Sequence, residues 1–361
     1  MAEIIKFAQD FGVDTKLYDR FTDYYCHFMS QNHGKSLGVY DETVSLADKE
    51  TQMNEALLSE VGKLANVSLS KDNALVMSKN PQVKWATFAL IDSLIAAVLP
   101  VSINENIGKF ADMRTIGFGD QARFLVEPQQ FFVVSEGTHG ERFTFLQKQF
   151  KGEKVLEPRL HEVSVTTSMY RVLCGLESLA EFVRRAILSI ENNMTAEAWN
   201  ALEGALDAAE MPAPFVVTGY TPEDLLALCQ RVEAYNGGNK PIIYGSSVAL
   251  SKVLPDGAQG FRMQTPADKM ALDIIYDFYG YNVVPLKQIA ANDGAYGTVI
   301  SDDEIYILSS ADKPVKGVLQ RDMSWQDEFL DNADLTQNAK ILASYAFATI
   351  TNAVAGKLIF A

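Results

Sequence analysis

Residues 141–165, ERFTFLQKQFKGEKVLEPRLHEVSV, decide how the rest of the chain is read. Phe143 and Phe145 alternate with Arg142, Thr144 and Leu146; Val163 and Val165 alternate with Ser164 and Thr166. A period of two marks a strand with one buried face, so the stretch predicts two strands. The run Lys151-Gly152-Glu153-Lys154 between them predicts their connecting tip. Such a tip is too charged to enter a core, while the aromatic side chains need cover. Between Glu141 and Arg159, five basic residues (Arg142, Lys148, Lys151, Lys154, Arg159) stand against three acidic ones (Glu141, Glu153, Glu157). The hairpin is locally basic in a chain of formal net charge -15.

That acidity argues against a nucleic-acid reader, which carries a basic patch or stripe. A chain of 361 residues, 48% of them hydrophobic, exceeds what one core usually serves and predicts two lobes. Cys26, Cys174 and Cys229 have neither CxxC nor zinc spacing and read as free thiols of a reducing compartment. The four histidines (His27, His33, His139, His161) form no metal-binding pair. MAEIIKFAQD at the start has neither a basic nor an apolar region of the kind that directs secretion. The most apolar run, Trp85 to Leu99, stops at Pro100 and contains Thr87, Asp92 and Ser93. It falls short of the roughly 20 residues of a membrane span, so a buried helix is expected.

Along the first hundred residues, Leu17, Phe21, Tyr24 and Phe28 fall at helical spacing, as do Met53, Leu57, Val61 and Leu64 behind a Ser45 cap. Pro81 is expected at the first position of a further helix. Polar connectors between these segments predict an extended arm. Strands follow from Val101. An amphipathic helix then carries Leu176, Leu179, Val183, Ala186, Ile187 and Ile190, with an interruption expected at Asn192-Asn193 and a new cap at Thr195. After Met211-Pro212 strands and helices alternate: a strand within APFVVTGY, a helix opened by Thr221-Pro222 and closed at Gly237, a strand at PIIYG, a helix opened by Thr265-Pro266 through Phe278 to Gly280, and a strand at NVVPL. A hairpin turning at Asp302-Asp303 and further strands close the chain, whose apolar end is expected to be tied down by packing.

The motifs that suggest chemistry all fail on spacing. Gly34-Lys35-Ser36 would end a phosphate loop, but Met29 stands where that loop needs glycine. Gly117-Phe118-Gly119 precedes a strand, not the helix that dinucleotide binding requires, and reads as a bend. Gly245-Ser246-Ser247 lacks the GxSxG pattern, and no histidine follows His161, so Ser246 reads as a helix cap. Asp302-Asp303-Glu304 reads as a turn before it reads as a metal site. No catalytic, cofactor-binding or metal-binding residue is expected.

The order of parts (helical arm, strand, two-stranded excursion, amphipathic helix, small α/β lobe, return to strands) resembles the major capsid protein of tailed bacteriophages. The resemblance implies the α+β Hong Kong-type phage capsid fold. It assigns residues 1–100 to the N-arm, about 116–167 to the E-loop, about 176–209 to the spine helix and 212–297 to the A-domain. The P-domain would take the rest of 101–211 together with 298–361. By the same resemblance the chain is a structural subunit, not an enzyme, forming pentamers and hexamers of itself around packaged double-stranded DNA that it contacts without sequence specificity. Scaffolding, portal and decoration proteins would be separate partners, no membrane would be involved, and the subunit would assemble in the bacterial cytoplasm into the virion capsid. Phe143, Phe145, Lys148, Phe150, Lys151 and Lys154 are its expected subunit-interface residues. Some members join E-loops through a lysine–asparagine bond, for which Lys151 and Lys154 are the lysines at hand; surface charge is the simpler reading of both. Two other readings stand beside this one. One is an encapsulin, a protein cage of the same fold that encloses cargo enzymes; the other is an α/β enzyme acting through the lobe at 221–286.

Overall fold

A helix with apolar residues on every side has to be enclosed, and the enclosure of one such helix organises the first third of the chain. The computed structural model describes residues 14–33, 38–106, 111–117, 119–126, 151–167, 169–207, 211–253, 277–291, 296–310, 313–320, 325–328, 337–350 and 353–360. Helix α1 is Thr15–His33, α2 Leu46–Leu64, α3 the single turn Ala74–Met77, and α4 Pro81–Asn106. By length and composition Pro81–Leu99 would suffice to cross a membrane, but 65% of it is buried inside this fold. Val83, Leu90, Ile91, Leu94 and Ile95 of α4 share one core with Phe21, Tyr24 and Met29 of α1 and Leu57 and Val61 of α2. The helix runs through Pro100 instead of stopping there.

Residues 14–106 are therefore a packed helical layer and not the extended arm expected from their polar connectors. Polar contacts also fasten the layer. Lys49 Nζ, almost fully buried, sits 2.6 Å from the Asp23 carboxylate and ties α2 to α1. Helix α5 (Met169–Leu173) is short; α6 (Leu179–Ala205) runs 27 residues, about 40 Å at 1.5 Å per residue. Tyr25 of α1 donates to Glu191 of α6 at 3.0 Å, and Asn54 of α2 accepts from the Leu179 amide at 2.9 Å.

Ser178 caps α6, so Leu176 lies before the helix, and neither Asn192-Asn193 nor Thr195 interrupts it. Asn192 donates to Ala290 O and Asn193 to the Tyr345 hydroxyl, so both amides are satisfied outside the helix. Thr195 donates back to Glu191 O at 2.7 Å, an arrangement compatible with a continuous helix. The expected caps Ser45, Thr221 and Ser246 all accept amide hydrogen bonds at the starts of their helices. Pro81 is the first residue of α4, as expected.

Two sheets flank α6. The first contains β1 (Ala111–Ile116), β4 (Arg159–Thr167), β10 (Val315–Gln320), β11 (Trp325–Glu328) and β12 (Gln337–Thr349). Its longest strand, β12, pairs antiparallel with β10, β11 and β4, while β1 runs parallel to β10. The second sheet has the order β5-β13-β9-β6-β8-β7. These strands are β5 (Val216–Thr218), β6 (Pro241–Ser246), β7 (Asp277–Phe278), β8 (Tyr281–Leu286), β9 (Glu304–Ser309) and β13 (Gly356–Ile359). Helices α7 (Pro222–Tyr235) and α8 (Ser247–Ser251) pack on it through Leu225, Leu228, Cys229 and Leu250.

The second lobe is consequently not the continuous block 212–297. Strand β9 pairs with β6, and β13 inserts between β5 and β9, so 304–309 and 356–359 complete its sheet. The reason is backbone satisfaction: β6 and β5 would otherwise present open edges to a buried core. Nor do Asp302-Asp303 turn a hairpin, because β9 finds its partners in β6 and β13. Phe278, expected on a helix, lies in strand β7; most of that expected helix lies outside the described residues. The apolar chain end is tied down, since β13 is an interior strand.

Two predictions follow from this packing. Gly317 of β10 sits in register between Met113 of β1 and Phe347 of β12. A Cβ there would meet Met113 Sδ at 2.2 Å and Phe347 Cε1 at 2.7 Å. Gly317→Ala should cost about 1–3 kcal/mol or more in chemical denaturation; unchanged stability would refute the close approach. Burial pushes the Asp92 carboxyl up to about 7, and its Oδ1 meets no hydrogen-bond partner. A raised carboxyl pKa stabilises the fold fully below the unfolded value near 4, and that stabilisation is lost as pH rises toward 7. The wild type should lose a few kcal/mol relative to Asp92→Asn between pH 4 and 8. Parallel pH profiles for the two proteins would contradict this.

Candidate functional site

The excursion that opened the sequence reading leaves the first sheet as a two-stranded ribbon, β2 (Ala122–Val126) paired antiparallel with β3 (Gly152–Leu156). Lys151-Gly152-Glu153-Lys154 is not its tip. Gly152, Glu153 and Lys154 are strand residues opposite Val126, Leu125 and Phe124, so their charge marks a solvated strand and not a turn. The expected partner strand also differs: β4, with Val163 and Val165, pairs with β12 of the first sheet. Of the expected interface residues, Lys151 and Lys154 are described and both are exposed. Phe143, Phe145, Lys148 and Phe150 lie outside the described residues.

The ribbon has two faces of opposite character, as the pleat requires. Ala122 and Phe124 point inward and are buried against Val318 of β10 and Ile350, with Leu156 and Val126 at the margin. The guanidinium of Arg114 stacks on the Phe124 ring at 4.4 Å and donates to Arg123 O at 2.8 Å. Those two contacts hold the ribbon's root to β1. The glycine bend at 117–119 leads into it: Gly119 has φ +84°, and the Asp120 amide donates to Gly117 O at 3.2 Å. A bend is what the sequence led us to expect there.

The outer face carries Arg123, Leu125, Glu153 and Val155. Leu125 is 47% and Val155 41% exposed, so each leaves nearly half of an aliphatic side chain in water. Arg123 and Glu153 pair across the strands at 3.6 Å in full view of solvent, a contact that contributes little to stability. An apolar pair ringed by charges, on a projecting ribbon, is a surface suited to contact with another chain.

Elsewhere the polar clusters are structural. Asp302 accepts from Ser246 Oγ at 2.6 Å and from Gln288 Nε2 at 3.0 Å; Asp303 pairs with Lys252 at 2.6 Å. Glu304 takes Lys357 Nζ at 2.9 Å and the Tyr306 hydroxyl at 2.5 Å. These three carboxylates thus serve packing, and Ser246 has an acid beside it but, among the described residues, no imidazole hydrogen-bonded to it. Among the described residues no group of three His, Cys, Asp or Glu side chains is placed to hold a metal. Gly34-Lys35-Ser36 lies outside them.

No family model and no curated relative matches the sequence. Solved structures of phage capsids do align with the fold. The asymmetric unit of the bacteriophage PhiM1 mature capsid covers 70% of this chain and 86% of its own, at 12% identity and a TM-score of 0.47. The holo-SrpI encapsulin complex from Synechococcus elongatus PCC 7942 covers 68% and 84%, at 12% identity and a TM-score of 0.38. A virus-like particle from Pyrococcus furiosus covers 73% and 97%, at 10% identity and a TM-score of 0.40.

The outer face generates a test. Leu125→Asp with Val155→Asp should leave the subunit folded, because both side chains are only partly buried. The same double variant should sharply reduce the fraction of protein in large particles during sedimentation. Loss of the circular-dichroism signal, or unchanged particle content, would remove the outer face as a contact surface.

Proposed function

We propose that this chain is the structural subunit of a closed protein shell, a phage capsid enclosing double-stranded DNA. The observation that supports it is the ribbon. It leaves its own sheet with Leu125 and Val155 uncovered on its outer face, and burial under a neighbouring subunit would remove that apolar surface from water. In this reading 116–167 is the strap laid over the neighbour. Phe143, Phe145 and Phe150 are its apolar anchors, and Lys148, Lys151 and Lys154 the charges that steer it toward an acidic partner surface. Steering of that kind acts on encounter more than on the finished contact, since salt screens it over about 8 Å.

The remaining parts fit the same role. Helix α6 with the first sheet forms the rigid body of the subunit, and the second lobe carries the contacts around the centre of pentamers and hexamers. Scaffolding, portal and decoration proteins would act as separate chains, and assembly would take place in the host cytoplasm. Such a subunit needs no turnover, and Asp302, Asp303 and Glu304 of the second lobe are engaged by Ser246, Gln288, Lys252, Lys357 and Tyr306.

Electron microscopy of the purified protein tests the reading directly. Closed icosahedral particles are expected, with ultraviolet absorbance showing nucleic acid inside particles taken from the native source. Monomers or open aggregates at all concentrations would overturn the proposal. Closed particles filled with protein instead of nucleic acid would favour the enzyme-enclosing cage.

A further inference from the structure

The outer face of the ribbon is a checkerboard. In register, Arg123 stands opposite Val155 and Leu125 opposite Glu153. The two aliphatic side chains therefore lie on one diagonal and the two charges, 3.6 Å apart, on the other. Whether the aliphatic diagonal meets another chain depends on the angle at which the ribbon leaves the first sheet. Contacts on the opposite face of the ribbon bear on that angle.

Asp112, Arg114 and Ile116 of β1 alternate onto one face of the first sheet, and Arg114 is in register with Val318 of β10 on that face. Phe124 is seated there, 1% exposed, among Val318, Ile350 and the partly buried Ile116. The Arg114 guanidinium lies over the ring, its carbon 4.4 Å from the ring centre, and its Nη1 donates to the Arg123 carbonyl at 2.8 Å. One planar group thus grips the main chain of one β2 residue and the side chain of the next. Leu125 follows directly, and the pleat turns it to the outer face. Arg114 is itself exposed, yet among the described residues its guanidinium meets a ring and a carbonyl and pairs with no carboxylate. Its service there is geometric. A lysine has the same charge but neither the plane that stacks nor the fork that reaches the carbonyl at the same time.

We propose that Arg114 is the positioning residue of the ribbon: by holding Phe124 in its seat it aims Leu125 and Val155 at a second copy of this chain. The proposal rests on the reading of the ribbon as the strap between subunits. It implies that the ribbon lifts from its seat while the first sheet stays intact. A two-stranded ribbon is marginal by itself, whereas β10 and β12 each have paired strands on both sides.

Hydrogen exchange on the full chain tests this, in particle-free fractions of the wild type, Arg114→Ala and Arg114→Lys. Amides of β2 and β3 should exchange about tenfold faster in Arg114→Ala, which loses one stacking contact and one charge-assisted hydrogen bond. Amides of β10 and β12 should keep their wild-type rates. Arg114→Lys should behave like Arg114→Ala. In sedimentation of concentrated samples both variants should show a several-fold smaller particle fraction, at low and high salt alike. Unchanged ribbon exchange in Arg114→Ala would overturn the proposal. So would equal acceleration in β10 and β12, which would make Arg114 a stabiliser of the whole sheet. Wild-type exchange or particle yield in Arg114→Lys would assign the effect to charge and sink the positioning role. The exchange measurement needs no particles, so it fails or succeeds independently of the shell reading, which falls only if the wild type forms no particles at any concentration.

Discussion

Burial of the apolar stripe of α6 is the constraint on which the other parts depend. Leu179, Val183, Ile187, Ile190, Met194 and Leu202 are all nearly inaccessible to water. One 27-residue helix cannot be covered along its length by a single element. The first sheet covers one part through β10 and β12, the N-terminal helices another, and the second sheet closes the far end. At that end Trp199 meets Tyr306 of β9 edge-on, ring centroids 5.0 Å apart. Beside it Lys357 of β13 pairs with Glu304, and Glu203 of α6 feels both charges. Burial raises the Glu203 pKa first, and the Glu304 carboxylate raises it further. The far end of α6 thereby meets the second lobe through an aromatic contact, beside a charge pair internal to that lobe. Breaking such a pair costs far more than its presence contributes, because the surviving charge stays buried.

This geometry explains why the chain visits the second sheet twice. Strand β9 carries Tyr306 to Trp199, and β13 carries Lys357 to Glu304. Between them the chain returns to the first sheet to supply β10, β11 and β12. The two lobes are thus stitched by strands as well as by packing.

Local chemistry was legible in the sequence and distant partnership was not. Ser45, Thr221 and Ser246 announced their helices because a cap needs only the next three residues. Gly237, at φ +70°, likewise marked the end of α7. The continuity of α6 was hidden because Asn192 and Asn193 find partners in Ala290 and Tyr345, about a hundred residues or more away. The helical layer at 14–106 was misread as an arm because its polar connectors say nothing about Tyr25 reaching Glu191 or Arg184 stacking on Phe28 at 3.9 Å. For the candidate site, alternation misled: Val163 and Val165 belong to β4 of the first sheet, and Phe143 and Phe145 lie outside the described residues. The strand that does form the ribbon, β3, was read as a tip, since its charges could equally mark a turn or a strand with a wet face.

That ambiguity has a physical source that bears on the role of the ribbon. A strand inside one subunit declares itself by a buried face, but every residue of β3 except Leu156 is exposed. Its sequence therefore carries no signature of its own chain's core. Arg114 and Phe124 anchor the root, and the pairing of β2 with β3 carries the ribbon outward from it. A two-stranded ribbon is marginal in water unless a third layer covers it. The subunit supplies that layer for the face of Ala122 and Phe124, while Leu125 and Val155 on the opposite face stay about half exposed. Placing the ribbon on a neighbouring subunit would complete both the strand pair and the surface it covers.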